Sequence, residues 1–219
     1  TYMCWTYSRW LRAYGLIRDA MPPDRRKRWE DALILGYTEI QKKEMSRLVN
    51  IPTHHAMGLY IAGQLFEKPE WCENAKAFIA KMVDAQDPEG FWTENYGPVV
   101  NYNFVYTDAL GVYYAVSKDE TVLPALQRAA RFHSAFTYPD GSSVETVDER
   151  NPYHPGRSMG NVGFTFTPEG RGRLIWEMRL HRAVSSTFDA DMMAHFLMYG
   201  EEGPAVPIQA NQKDITWMS

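Results

Sequence analysis

Cysteine is scarce in this chain. Cys4 and Cys72 are the only two in 219 residues, and no C-x-x-C pair exists, which excludes a zinc ribbon or a disulfide scaffold. Long apolar runs are missing too, so no membrane-spanning helix is expected. Positive charge is not in excess: the formal net charge is −4 and no basic stripe runs along any segment, which argues against a nucleic-acid surface. The phosphate-loop pattern, the dinucleotide G-x-G-x-x-G, the nucleophile elbow G-x-S-x-G and H-E-x-x-H are all absent. Neither an initiator Met nor a signal peptide opens the chain, so the sequence reads as a mature or truncated piece of a longer protein.

Aromatic residues are abundant, at 14%. They serve equally as core filling and as stacking platforms for sugars. Apolar residues at Met3, Tyr7, Trp10, Tyr14, Ile17 and Met21 predict a first helix with one buried face. Pro22-Pro23 ends it, and Asp24 is placed as the cap of a second helix. Pro52-Thr53 open a third, to about Phe66. The segment from Pro69 makes a fourth, with Trp71, Ala75, Phe78, Met82 and Ala85 on one stripe. A fifth covers 101–117 and a sixth 121–136. Beyond Gly160 the segment "GNVGFTFTPEGRGR" reads as strand or loop. Two shorter helices follow, at "LIWEMRL" and "STFDADMMAHFLMYG".

Two helix pairs read as copies. Ala56, Gly58, Tyr60 and Ala62 recur as Ala109, Gly111, Tyr113 and Ala115, and "PEGFWTE" from Pro88 recurs as "PDGSSVE" from Pro139. A period of about 50 residues signals a helical-hairpin array. The expected fold is mainly α, with helical-hairpin repeats forming an incomplete (α/α) toroid and little β. The toroid should occupy residues 1–200, with an irregular tail over 201–219. Short links fall at one end of the array and long polar loops at the other, where sites are built.

Three clusters carry candidate chemistry, and each has a plain structural alternative. His54 and His55 open an apolar helix, where they either face a cleft or satisfy nearby backbone. Tyr102 and Tyr106, at i and i+4, share a helix face near Asn101 and Asn103; they are a candidate base or an inner aromatic face. "ETVDERNPYHPGR" concentrates Asp148, Glu149, Arg150, Asn151, Tyr153, His154 and Arg157. It reads as a carboxylate-binding loop or a solvated one. Glu94 and Glu145 recur at one repeat position, which points to holding a turn or capping a helix rather than to acid catalysis.

"THHAMGLY" followed by "PEGFWTENYGPVVNYNFVY" and "DERNPYH" resembles the α/α-toroid polysaccharide lyases of the alginate lyase and heparinase II/III kind. His54 stands where those enzymes carry Asn, and His55 matches their His. The resemblance covers about half the chain, from Pro52 to His154. It implies β-elimination on a uronate polysaccharide without metal or organic cofactor. Tyr106 or Tyr102 would be the base, and His55 with His54, Asn or Arg150 would neutralise the carboxylate. Arg150, Asn151, Tyr153, His154, Asn101 and Trp92 would bind substrate. It further implies a secreted or periplasmic enzyme whose partner is its polymer. The alternatives are a glycoside hydrolase on the same toroid, or a noncatalytic carbohydrate-binding one.

Overall fold

The computed structural model describes residues 4–94, 97–144 and 159–208. Eight α-helices lie among them: α1 Cys4–Ile17, α2 Pro23–Lys43, α3 Asn50–Leu65, α4 Pro69–Asp84, α5 Val100–Ser117, α6 Leu123–Ala135, α7 Pro168–Val184 and α8 Ala190–Tyr199. No strand forms among the described residues. The extended segments make two isolated bridges, Glu94 to Gly97 and Thr137 to Ser143. No described helix is long and apolar enough to cross a membrane.

Helix α3 packs on α1, α2, α4 and α5, and α5 packs in turn on α6 and on a 3-10 segment, Val162–Phe166. That position explains the composition of α3. With neighbours on all sides it is apolar around its circumference rather than along one stripe, and so is α5. Ala56, Met57, Leu59 and Ala62 on α3, and Ala109, Leu110, Val112 and Tyr113 on α5, are shut from solvent. Tyr60 and Tyr113, matched positions in the two helices, meet edge to face at 5.1 Å. The matched glycines leave room for close neighbours. A Cβ on Gly58 would sit 2.6 Å from the Tyr37 hydroxyl, and one on Gly111 would sit 2.4 Å from the Cα of Gly163.

The two Pro-x-Gly turns share a hydrogen-bond pattern. Asp87 N–H donates to Phe91 O and Gly90 N–H to Asp87 O; Tyr138 N–H donates to Ser142 O and Gly141 N–H to Tyr138 O. Both glycines have positive φ, +96° and +87°, which a side chain would oppose.

Several expected boundaries shift. The buried face of α1 is Cys4, Ser8, Leu11, Arg12 and Tyr14. Trp10 and Ile17 fall outside it, because α1 turns its 4/8/11 row toward α3. Helix α2 begins at Pro23, and Asp24 lies within its first turn rather than capping it. Helix α3 begins at Asn50, two residues before Pro52, so His54 and His55 lie in its second turn. There the N–H groups are already paired within the helix and the terminal dipole has weakened. The "GNVGFTFTPEGRGR" segment is neither strand nor loop: it is the 3-10 segment followed by the start of α7. Thr167 caps α7 through its side chain, accepting from Gly170 N–H.

Candidate functional site

Glu94 is buried at the end of the Gly90 turn. Its Oε1 accepts from the Asn50 backbone N–H at 2.9 Å, from Asn50 Nδ2 at 2.6 Å and from the Tyr106 hydroxyl at 2.6 Å. The Asn50 N–H opens α3, so Glu94 caps that helix from another part of the chain, with its charge placed favourably at the N-terminus. A structural role of the kind expected is therefore observed for Glu94, on α3, two helices back in the chain. Asn103 locks the same loop to α5. Its Oδ1 accepts from Trp92 N–H at 2.6 Å, and its Nδ2 donates to the carbonyls of Trp92 and Val99.

Tyr106 and Trp92 belong to this knot. Tyr106 has no solvent exposure and Trp92 has 2%. Their rings stack at 5.0 Å, and the Trp92 indole N–H donates to Met82 O at 2.7 Å. Burial first, and then the bond to Glu94, push the Tyr106 phenol far above its ordinary range. A base needs the opposite. The expectation that Tyr106 is the base meets a hydroxyl already donated to a carboxylate. The expectation that Trp92 is a sugar platform meets a ring covered by Tyr106. Tyr102 and Asn101 lie half-buried in the first turn of α5, each with a partner. His55 is buried inside α3, also partnered. Arg150, Asn151, Tyr153 and His154 lie outside the described residues, as do Glu145, Asp148 and Arg157.

His54 lies one turn along α3 from Asn50, on the same face, and it opens a different chemistry. A cleft of about 280 Å³ is bounded by α1, α3, α5, the segment 159–161 and α8. Trp5, Arg9 and Arg12 come from α1, His54 from α3, Phe104, Val105 and Asp108 from α5, and Asp189, Asp191 and His195 from the α8 region. Asp108 sits between two imidazoles: His54 Nε2 is 3.7 Å from its Oδ2, and His195 Nδ1 is 3.6 Å from its Oδ1. Burial by itself would raise the Asp108 carboxyl, but its contacts with His195 and His54 outweigh that and hold it well below the usual range. Arg12 Nη1 lies 2.6 Å from His195 Nε2. A guanidinium only donates, so Nε2 accepts and the His195 proton sits on Nδ1, toward Asp108. His54 Nδ1 is buried and has no hydrogen-bond partner among the described residues. The edge of Trp5 packs against that ring, with centroids 5.2 Å apart. Arg9 pairs with Asp191, and both side chains are more than half open to solvent or close to it.

Among the described residues, His54 is the one expected site residue that lines this cleft. Asp108, His195, Arg9, Arg12 and Trp5 escaped the sequence reading. One signal was available for Asp108: it is the single carboxylate in an otherwise apolar and aromatic helix. His195 gave a similar hint inside "ADMMAHFLMY". No spacing rule links three residues so far apart in the chain. Among the described residues no cluster of His, Cys, Asp and Glu has the geometry to hold a metal ion.

Comparison with known proteins finds no matching family model, no similar curated protein and no similar solved structure.

Proposed function

We propose that the chain is a polysaccharide lyase that cleaves a uronic-acid-containing polymer by β-elimination, in the cleft walled by His54. The observation that carries the reading is His54 itself. One ring nitrogen faces a carboxylate, the other has no partner, and guanidinium groups stand in the same cleft. Asp108 favours the tautomer with the proton on Nε2, which leaves the Nδ1 lone pair as the base; that atom is covered, so substrate reaches it only when the Trp5 edge moves aside. In the reaction the C5 proton of the uronate passes to Nδ1. The C5–H electrons form the C4=C5 double bond, the C4–O4 bond breaks, and O4 leaves and is protonated by water or by the imidazolium. Arg9 neutralises the C6 carboxylate so that charge developing at C5 spreads into it. Its present pair with Asp191 is solvent-exposed and worth little, so a substrate carboxylate can replace Asp191. Arg12 is buried against His195 and holds that ring in place.

The base therefore differs from the tyrosine that the family resemblance implies. The contacts of α3 with α1, α2, α4 and α5, and of α5 with α6, are compatible with an incomplete toroid. The hydrolase reading is served less well. Such an enzyme needs a carboxylic acid that keeps its proton. Asp108 is pushed the other way, Asp189 caps α8 by accepting from Met192 N–H, and Asp191 is paired with Arg9.

The test is an ultraviolet absorbance screen on alginate, glucuronan, heparin-like chains and ulvan, since elimination creates an unsaturated uronyl end and hydrolysis does not. His54→Ala should abolish the signal, while Arg9→Ala should lower kcat as well as raise KM, because its contact strengthens as charge spreads into the carboxylate. New reducing ends without absorbance would make the protein a hydrolase. Binding without either product would make it a carbohydrate-binding toroid.

A further inference from the structure

A second groove, of about 660 Å³, lies between α1 and α2, lined by Tyr7, Trp10, Arg25, Arg28, Trp29, Ala32 and Leu33. Helix α2 supplies one row of it: Arg25, Arg28, Trp29 and Ala32 are spaced three and four apart and share a face. Helix α1 supplies Tyr7 and Trp10, one turn apart. These are not the α1 residues of the His54 cleft, where Trp5, Arg9 and Arg12 stand, so the two sites use different faces of the helix.

Large apolar groups are usually hidden, yet Trp10 is 50% exposed and Trp29 37%. The groove is held open by what fills its base. Tyr7 donates to Ala32 O, and Tyr14 reaches across to Glu30 at 2.5 Å and stacks under Trp29. The charges are sorted as well. Arg26 is held by Asp19 and Glu30, and Lys27 by Asp31. Arg25 and Arg28 have no ion pair among the described residues and are exposed. The volume falls in the range of small-molecule sites, about 300–1,000 Å³.

We propose that the α1/α2 groove, with Trp10 and Trp29 as stacking faces and Arg25 and Arg28 as anion-binding groups, is a binding site for an acidic saccharide chain, separate from the His54 cleft. Two indoles offer flat apolar surfaces to the C–H faces of sugar rings. Two unpaired guanidiniums between them match carboxylates or sulfates carried at intervals. The floor of Ala32 and Leu33 offers no side-chain hydrogen bonds with which to read a nucleobase edge. Attraction by overall charge is no substitute for this site, since the whole chain carries a net −4. The inference goes beyond the proposed reaction and holds whether or not the cleft is catalytic.

Affinity electrophoresis of the full chain tests it, in gels containing polygalacturonate, alginate or heparin, with dextran and inorganic polyphosphate as neutral and purely ionic controls. Retardation is expected with at least one acidic saccharide and not with dextran. Trp10→Ala and, separately, Arg28→Gln should each weaken it roughly tenfold or more, the scale of an aromatic or arginine anchor. Added salt should weaken it further, because the guanidiniums are exposed. His54→Ala should leave it unchanged, so this result is read independently of the absorbance screen. Trp10 is half in solvent, so its removal should spare the fold, and Arg28→Gln gives a second reading on an exposed residue. Four results overturn the proposal: no retardation by any of the three saccharides, parental retardation in both variants, loss in His54→Ala with Trp10→Ala intact, or equal retardation by polyphosphate that Trp10→Ala does not change.

Discussion

Replacing Tyr106 by Phe separates a structural hydroxyl from a catalytic one. The substitution keeps the ring, and with it the stack on Trp92, and removes only the donor to Glu94. A hydrogen bond to a charged group contributes about 1.5–3 kcal/mol. Glu94 keeps two donors from Asn50, so its carboxylate is not stranded and the cost should fall near the lower end, about 1.5 kcal/mol. For a chain of this size that lowers Tm by roughly 3–6 °C. Turnover, on whatever polymer the parent cleaves, should stay within about threefold, because the hydroxyl is enclosed in the core. A tyrosine base would instead lose roughly 10²–10⁴-fold in kcat. The measurements are a thermal melt and an initial-rate assay on the same sample. A collapse of kcat with Tm unchanged would refute the reasoning and return the base to Tyr106. The partner change, Glu94→Ala, should cost more than Tyr106→Phe, since it leaves Asn50 Nδ2 and the Tyr106 hydroxyl buried without acceptors, at about 1–3 kcal/mol each.

Asp108→Asn should reduce turnover sharply by releasing the His54 tautomer, and it should flatten the acid limb of stability. The folded carboxyl titrates below its unfolded value, so its contribution is present above about pH 3.9 and is lost as pH falls through the folded pKa; urea midpoints of parent and variant from about pH 5 down to about pH 2 check this. His133 is depressed well below the usual imidazole range, by burial first and the Arg173 charge second. Its contribution is therefore present above about pH 6.5 and falls as the unfolded chain takes up its proton. His133 should give no titrating NMR signal near pH 6.5 while the protein stays folded. Gly163→Ala would put a Cβ 2.2 Å from the Thr107 carbonyl of α5. Because backbone cannot swing aside, the loss should be at least about 1–3 kcal/mol, read as a lower denaturation midpoint.

The helices were legible in the sequence because periodicity and proline act locally. The row Trp71, Ala75, Phe78, Met82 lies on the buried face of α4, while Ala85, expected on the same stripe, is exposed just past the helix end; the glycines of the two Pro-x-Gly turns have positive φ, a conformation glycine adopts without strain. Where two rows compete on one helix, periodicity alone does not choose. On α1 the Tyr7/Trp10 row and the Cys4/Ser8/Leu11 row are both regular, and only the docking of α3 buried the second and left Trp10 on a groove. The "GNVGFTFTPEGRGR" segment misled because its apolar run is buried by neighbours rather than by its own pattern: Gly163 fits against Thr107 of α5, and no strand partner exists among the described residues. The candidate site divides the same way. Sequence singled out His54 as an imidazole in an apolar helix and gave Glu94 a structural role. It had no means of telling a tyrosine that faces a cleft from one that donates to a buried carboxylate, since both occupy the same helix face at the same spacing. Tertiary structure alone decided that Tyr106 is core, that Asp108 meets both His54 and His195, and that Arg12 meets His195. Those contacts join helices distant in the chain, and the distances and desolvation that set the titration of Asp108 exist only once the helices have packed.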